Sequence, residues 1–350
     1  MNERHVQRRR RRRRPPPRRG VSPIGVMILI ALTAAIIYFT MPATALDYIL
    51  EGLGVTNDGE GGGFRRQPAP MPIDISQMNF VPDDWRLVYR FYYNELGMMD
   101  LDRHEVVDEL GFVRLITHAD GVLSVHTYAH AVFDWRHDED ADMVIITALS
   151  PRTRYSSVVM LDAGHGGHDA GAEHGGLRES DVNLDITMRV YALFAASQSG
   201  IRAYLTRHDD SFVSMQDRAV MGNMSADLLV SIHNNAYDGP TRARVSGTEV
   251  LFAASSVMDR YGNEGRANIS NAAFSQIMQN HLVNTLGTRD RGIVQRSGLA
   301  LLNLSAIPLA YLEIEFMTST DGLASLRDPN FLQSAAQAIY DGIVATLSLP

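Results

Sequence analysis

Three stretches of the chain set polar side chains directly after a run of apolar ones. Residues 158–161 lead into Asp162-Ala163-Gly164-His165-Gly166-Gly167. Residues 228–232 run into His233-Asn234-Asn235, and residues 309–312 into Glu313-Ile314-Glu315. Such short apolar runs read as buried strands, and ligands of α/β sheets gather outside the carboxyl ends of strands. One histidine there would be well explained as a satisfied core residue. Two of them, beside glycine-rich turns that let the backbone approach closely and joined by strand-end glutamates, point to a metal centre. Neutral imidazole is the commonest zinc ligand.

The elements that must position these residues alternate. After the strand at 158–161, residues 181–198 carry helical apolar spacing at Val182, Ile186, Val190, Leu193 and Phe194, with Gly200 as a stop. Strands follow at 201–205, 228–232, 248–252 and 309–314, and helices at 214–224, 267–286 and 331–347. Strand–helix alternation predicts an α/β domain over 151–350, a single mostly parallel or mixed sheet with helices on both faces.

Residues 73–150 differ. Short strands are expected at 113–116, 123–128, 131–135 and 143–148, with a hairpin turn at Asp120-Gly121. An amphipathic helix is expected over 83–97. Together these make a small strand-rich accessory module. Its His104-Glu105-Val106-Val107-Asp108 imitates a zinc-protease helix, but Asp108 stands where a second imidazole is needed. The acidic run 138–142 lacks the glycine and trailing glutamate of a calcium loop and reads as a solvated turn.

The N-terminus reads as an address. Residues 1–23 form a basic cytoplasmic tail with unbroken arginine from Arg8 to Arg14. Residues 24–41 carry no charge and would span about 27 Å as a helix, close to a bilayer core. The expectation is a transmembrane signal anchor, or a signal peptide cleaved after Ala45 in the Ala43-Thr44-Ala45 stretch. Residues 42–72, rich in Gly and Pro, form a linker. A basic flank stays in the cytoplasm, so the folded part lies outside it. The arginine run has no aromatic interleaving, and a topogenic role explains it without nucleic acid. The sequence has no cysteine, which excludes disulfides, thiolate ligands and cysteine nucleophiles.

The stretch VVMLDAGHGGHDAGAEHGGLRESDVNL resembles the zinc-dependent N-acetylmuramoyl-L-alanine amidases of the amidase-3 type. The resemblance continues in order through LTRHDDSFVSMQDRAVMGN, ADLLVSIHNNA, SGTEVLF, DRG and LAYLEIEF, over roughly residues 157–347. It implies Zn2+ held by His165, Glu179 and His233, with a fourth position open for water. It implies Glu313 as catalytic base, hydrolysing the amide between N-acetylmuramic acid and L-alanine of peptidoglycan. The alternatives are a zinc peptidase cutting within the stem peptide and a non-catalytic wall-binding protein on the same scaffold. The implied partners are peptidoglycan and, through the N-terminal helix, the bacterial cell membrane. The protein would be a monomer.

His168 and His174 lie near the same turn, but the family pattern does not use them. Glu315 stands where the family has a small residue. Strand alternation puts it on the face of Glu313, where it could swap roles with Glu313, perturb it, or point away. Ser319 replaces the family's asparagine. Asn183, Arg207, Asp209, Arg218 and Asn223 match family positions and are read as helix and turn support, and Glu249 as a supporting or structural residue. Some family members carry a helix that blocks the zinc. Residues 253–290 leave no room for one, so an open site is expected.

Overall fold

The computed structural model describes residues 78–84, 86–93, 104–119, 122–141, 143–254 and 268–348. All of them fall in one compact unit, residues 71–350. The expected tail at 1–23, membrane segment at 24–41 and linker at 42–72 lie outside the described residues. Among the described residues, no helix is long and apolar enough to cross a membrane.

The central sheet has six strands. They are β8 (Ser157–Ala163), β11 (Ile201–Leu205), β12 (Leu228–Asn235), β13 (Thr248–Phe252), β14 (Asp290–Gln295) and β15 (Leu309–Phe316), in the order β11-β8-β12-β15-β13-β14. The first four in that order run parallel, β13 lies antiparallel to β15, and β14 is parallel to β13. The sheet is therefore mixed. β8 and β12 are buried along almost their whole length, which is why they read as unbroken apolar runs rather than alternating ones.

One face carries α1 (Glu179–Ala196), α3 (Asn271–Leu286) and α6 (Pro329–Leu347). Val182, Ile186, Phe274, Met278, Ile339 and Ile343 interlock there with Leu161, Val230 and Leu312 of the strands. The other face carries α2 (Met215–Ser225) and α4 (Ala300–Leu304), but they cover only part of it. The strand-rich segment covers the rest.

That segment contains β1 (Met78–Asp83), β2 (Val88–Tyr93), β3 (His104–Val107), β4 (Val113–Ala119), β5 (Val122–Thr127), β6 (Val132–Asp138) and β7 (Met143–Leu149). They form two sheets, β1-β2-β5-β4 and β3-β7-β6. Phe91, Leu123, Phe133 and Ile146 share one buried cluster with Val158, Met160, Leu229 and Leu309 of the central sheet. His130 ties the two together. Its Nε2 lies 3.0 Å from the Leu205 carbonyl, its ring stacks on Tyr204 at 4.3 Å, and its own carbonyl accepts from Ser225 Oγ at 2.8 Å.

Several expectations change here. Residues 83–97 contain no helix among those described. β1 and β2 pair antiparallel there, because Tyr89 and Phe91 point inward on either side of half-buried Arg90, a period of two rather than 3.6. His104–Val107 is a strand paired with β7, so the protease-like motif has no helical turn to work with. β4 and β5 do form the expected hairpin, with Ala119 opposite Val122; Asp120 and Gly121 lie outside the described residues. The helix expected over 267–286 begins at Asn271, with Ser270 Oγ accepting from Ala273 N at 3.2 Å as its N-cap.

Candidate active site

β12 and β15 run on to Asn235 and Phe316. His233 and Glu313 thus sit in the last residues of two adjacent strands, directly opposite each other in register. His165 lies two residues beyond β8. Its backbone adopts φ +60°, a left-handed conformation unusual outside glycine.

Two buried arginines enforce that turn. Arg207 donates from Nε to the Ala163 carbonyl at 2.9 Å and from Nη2 to the Gly164 carbonyl at 2.8 Å. Arg218 donates to the carbonyls of Ala163 and His165, both at 2.6 Å. Arg218 is itself paired with fully buried Asp162, which also accepts from Thr206 and Ser231. Burial alone would raise the Asp162 pKa, but Arg218 and the two hydroxyls outweigh it and hold the carboxylate ionised. Read from the sequence as helix and turn support, these arginines fasten the loop that presents His165.

The turn delivers His165 to Glu179, the first residue of α1, where a carboxylate also suits the positive end of the helix dipole. His165 Nε2 is 3.2 Å and His233 Nδ1 is 2.9 Å from Glu179 Oε1. One ligand atom from each of the three residues lies within 4.8 Å of the others. His165 Nδ1 faces Asp169 Oδ2 at 2.9 Å, so Nε2 is the lone-pair nitrogen turned inward. Glu179 Oε2 accepts from Ala172 N at 2.9 Å, and Oε1 also lies 3.3 Å from Asn183 Nδ2. Burial raises the Glu179 pKa, yet the two imidazoles outweigh it and hold the group far below its ordinary value. Burial pushes the His233 pKa down and keeps that ring neutral. The Glu179 and Asp169 carboxylates outweigh burial at His165 and raise its pKa; two imidazole nitrogens and one carboxylate, one imidazole backed by a further carboxylate, fit a catalytic zinc with an open fourth position.

Gly164 and Gly171 make the approach possible. A Cβ on Gly164 would fall 2.1 Å from the His233 ring, and one on Gly171 would fall 2.6 Å from Glu179 Oε2.

Glu313 stands beside this group, flanked in register by His233 on one strand and Glu249 on the other. Its Oε2 is buried without a hydrogen-bond partner. Burial, then the negative charges of Glu179 and Glu249, push its pKa well above the ordinary value. Glu249 is held by Asn235 at 3.0 Å and Arg291 at 3.1 Å.

The remaining candidates lie elsewhere. His168 is exposed and packs on Phe212 at 4.1 Å, and His174 lies on the short strand β9 (Glu173–His174); neither joins the metal-ligand group. Glu315 points away. An irregularity opposite His233 and Asn235 pairs them with Glu313 and Phe316, and the Glu315 carboxylate accepts from Gly247 N at 2.6 Å and Phe316 N at 2.8 Å. Ser319 caps α5 (Thr320–Ser325) through Gly322 N at 2.7 Å. Asn223 fastens Leu304 and Ala306, and Asp209 Oδ1 accepts from Ser211 N. In the interval expected to leave the site open, α3 packs into the core, and residues 255–267 lie outside the described residues.

Two contributors escaped the sequence reading. Asp169 carried a signal, a carboxylate four residues after His165. Tyr311, stacked on His233 at 4.1 Å and 13°, looked like one more apolar strand residue.

Residues 159–345 match the family model described as N-acetylmuramoyl-L-alanine amidase. The chain is 35% identical over 186 residues to the uncharacterised protein YqiI of Bacillus subtilis (strain 168), covering 53% of this chain and 82% of that one. It is 36% identical over 188 residues to the N-acetylmuramoyl-L-alanine amidase LytC of the same organism, covering 53% of this chain and 35% of LytC. Of solved structures, amidase AmiC2 of Nostoc punctiforme is 31% identical over 55% of this chain and 98% of its own, with a TM-score of 0.48. The chain belongs to the N-acetylmuramoyl-L-alanine amidase family of the amidase-3 type.

Proposed function

We propose that His165, Glu179 and His233 hold zinc, and that with Glu313 as base the protein hydrolyses the amide between N-acetylmuramic acid and L-alanine in peptidoglycan. The observation that carries this reading is the convergence of three donor atoms within 4.8 Å beside a glutamate whose buried oxygen has no partner. Zinc, when bound there, polarises an amide carbonyl and acidifies a water. Glu313 takes the proton from the attacking water as its oxygen bonds to the lactyl carbonyl carbon. The carbon–nitrogen bond breaks, and Glu313 passes that proton to the departing L-alanine amine. Its raised pKa suits a group that must carry a proton between the two events. Asp169 fixes the His165 ring, and Arg207 and Arg218 fix the turn beneath it.

The same proposal anchors the protein by residues 24–41, uncharged and preceded by arginines, with the catalytic part outside the cytoplasm as a monomer. The test uses the full chain in detergent, assayed for bound zinc and for digestion of isolated peptidoglycan with and without a chelator. Intact stem peptides beginning with free L-alanine, lost on chelation and restored by zinc, support the reading. Fragments cut inside the stem replace it with a peptidase, and bound zinc without products replaces it with a silent scaffold.

A further inference from the structure

Two buried asparagines stand behind the Glu179 carboxylate. Asn183 lies four residues along α1 from Glu179, and so on the same face of the helix. Asn234 follows His233 on β12 and turns its side chain to the opposite face of the sheet, the face that α1 covers. Asn183 has no exposed surface and Asn234 is 2% exposed. Their amides meet at 2.8 Å, with Asn234 Nδ2 donating to Asn183 Oδ1.

The neighbours fix the sense of both amides. Asn183 turns one end to the Gly164 carbonyl at 3.4 Å and to Glu179 Oε1 at 3.3 Å. A carbonyl and an ionised carboxylate only accept, so that end is Nδ2, and Oδ1 faces Asn234. Asn234 must then present Nδ2 in turn, and its own Oδ1 is left over. That oxygen is buried with no hydrogen-bond partner. A buried acceptor without a donor is costly, and an apolar side chain at 234 would avoid the cost. What the amide gives in return is the orientation of Asn183. The backbone N–H of Asn234 reaches the same Glu179 Oε1 at 3.3 Å, and Ala172 N holds Oε2 at 2.9 Å. The carboxylate is thus held at both oxygens, with Oε1 the one turned to His165 and His233.

We infer that Asn183 is a positioning residue for Glu179 as a metal ligand, and that Asn234 acts through it by setting which way the Asn183 amide faces. With Asn234 in place, Asn183 offers Glu179 a donor. Without it, the Asn183 amide is free to turn over and set an acceptor oxygen against the carboxylate. That repulsion swings the ligand oxygen out of line with the two imidazoles. The inference rests on the reading of His165, Glu179 and His233 as zinc ligands, and adds to it two residues whose side chains touch no metal.

The test uses the full chain in detergent. Zinc affinity is read by competition with a chromogenic chelator, ligand geometry by the visible absorption of the cobalt-loaded chain, and stability by urea melts of the metal-free chain. Asn183→Leu and Asn234→Leu keep the side-chain size and remove the amides. Each should weaken zinc binding about 10- to 100-fold and shift the cobalt bands. The double variant should bind no more weakly than Asn183→Leu alone, because members of one hydrogen-bond chain do not add. The urea midpoint of Asn234→Leu should move little, since the variant exchanges an orphan oxygen on Asn234 for one on Asn183. Unchanged zinc affinity or unchanged cobalt bands in Asn234→Leu overturn the inference. Additive losses overturn it too, as do losses that only follow a falling urea midpoint. Asn234→Leu decides alone if Asn183→Leu does not fold. A parent chain that binds no zinc overturns the zinc reading and this inference with it, whereas variants that match a zinc-binding parent overturn this inference alone.

Discussion

Asp169 Oδ2 lies 2.9 Å from His165 Nδ1, so the residue that aims the first imidazole is carried by the same glycine-rich turn. Partners of this kind fix ring orientation and ligand basicity. Asp169→Ala is expected to weaken zinc binding about 10- to 100-fold, read by competition with a chromogenic chelator. An unchanged zinc affinity would remove Asp169 from the centre.

Glu313→Gln should separate metal from catalysis. The side chain keeps its size in a site where Oε2 has no partner, so zinc content should stay at the wild-type level. Turnover should fall by roughly 10²- to 10⁴-fold, the usual contribution of a general base. The raised pKa of Glu313 means that activity in the parent is lost as pH falls and the base becomes protonated. The variant's residual rate should lack that acid limb. A variant with near-normal turnover would require a different base.

Glu315 makes the opposite prediction. Its carboxylate satisfies two backbone N–H groups at 5% exposure and stands apart from the metal-ligand group. Glu315→Gly strands both donors and should cost about 2 kcal/mol of stability, seen in urea melts. Hydrolysis per bound zinc should be unchanged. A rise in turnover would show that Glu315 restrains the site after all.

His130 links stability to pH. Burial lowers its pKa from 6.5 to about 4, so between those values the unfolded chain binds a proton that the folded chain refuses. Stability is therefore full above pH 6.5 and falls as pH drops towards 4. The shift amounts to roughly 3 kcal/mol for this fully buried ring, at about 1.4 kcal/mol per unit. His130→Leu should flatten the slope across that window in urea melts at several pH values. A slope that persists would place the titrating group elsewhere.

The catalytic half was legible because its signals are local. Buried parallel strands leave continuous apolar runs, and the candidate ligands follow them within two residues at His165 and inside the strand at His233. The hairpin at β1 and β2 was not legible, because Val88-Tyr89-Arg90-Phe91 suits either an amphipathic helix or an alternating strand until a partner is known. β14 was missed because only Ile293 and Val294 of its six residues are apolar, as an edge strand permits. Which of the three readings of Glu315 holds was not legible, because alternation assumes an even ladder, and the pairing shifts between His233 and Asn235. The role of Arg207 and Arg218 depends on carbonyls more than forty residues away, which no spacing rule reports.

The strand-rich segment closes over Val158, Met160, Leu229 and Leu309, and this bears on how the protein can be taken apart. The stretch shared with relatives starts at residue 159, inside β8. Cut there, or at 151, the sheet would be left with a bare oily flank. The boundary of kinship and the boundary of self-sufficiency therefore do not coincide in this chain. Any recombination that exchanged the front half would have to supply a matching greasy lid, so the two halves are expected to travel through evolution as a single heritable piece.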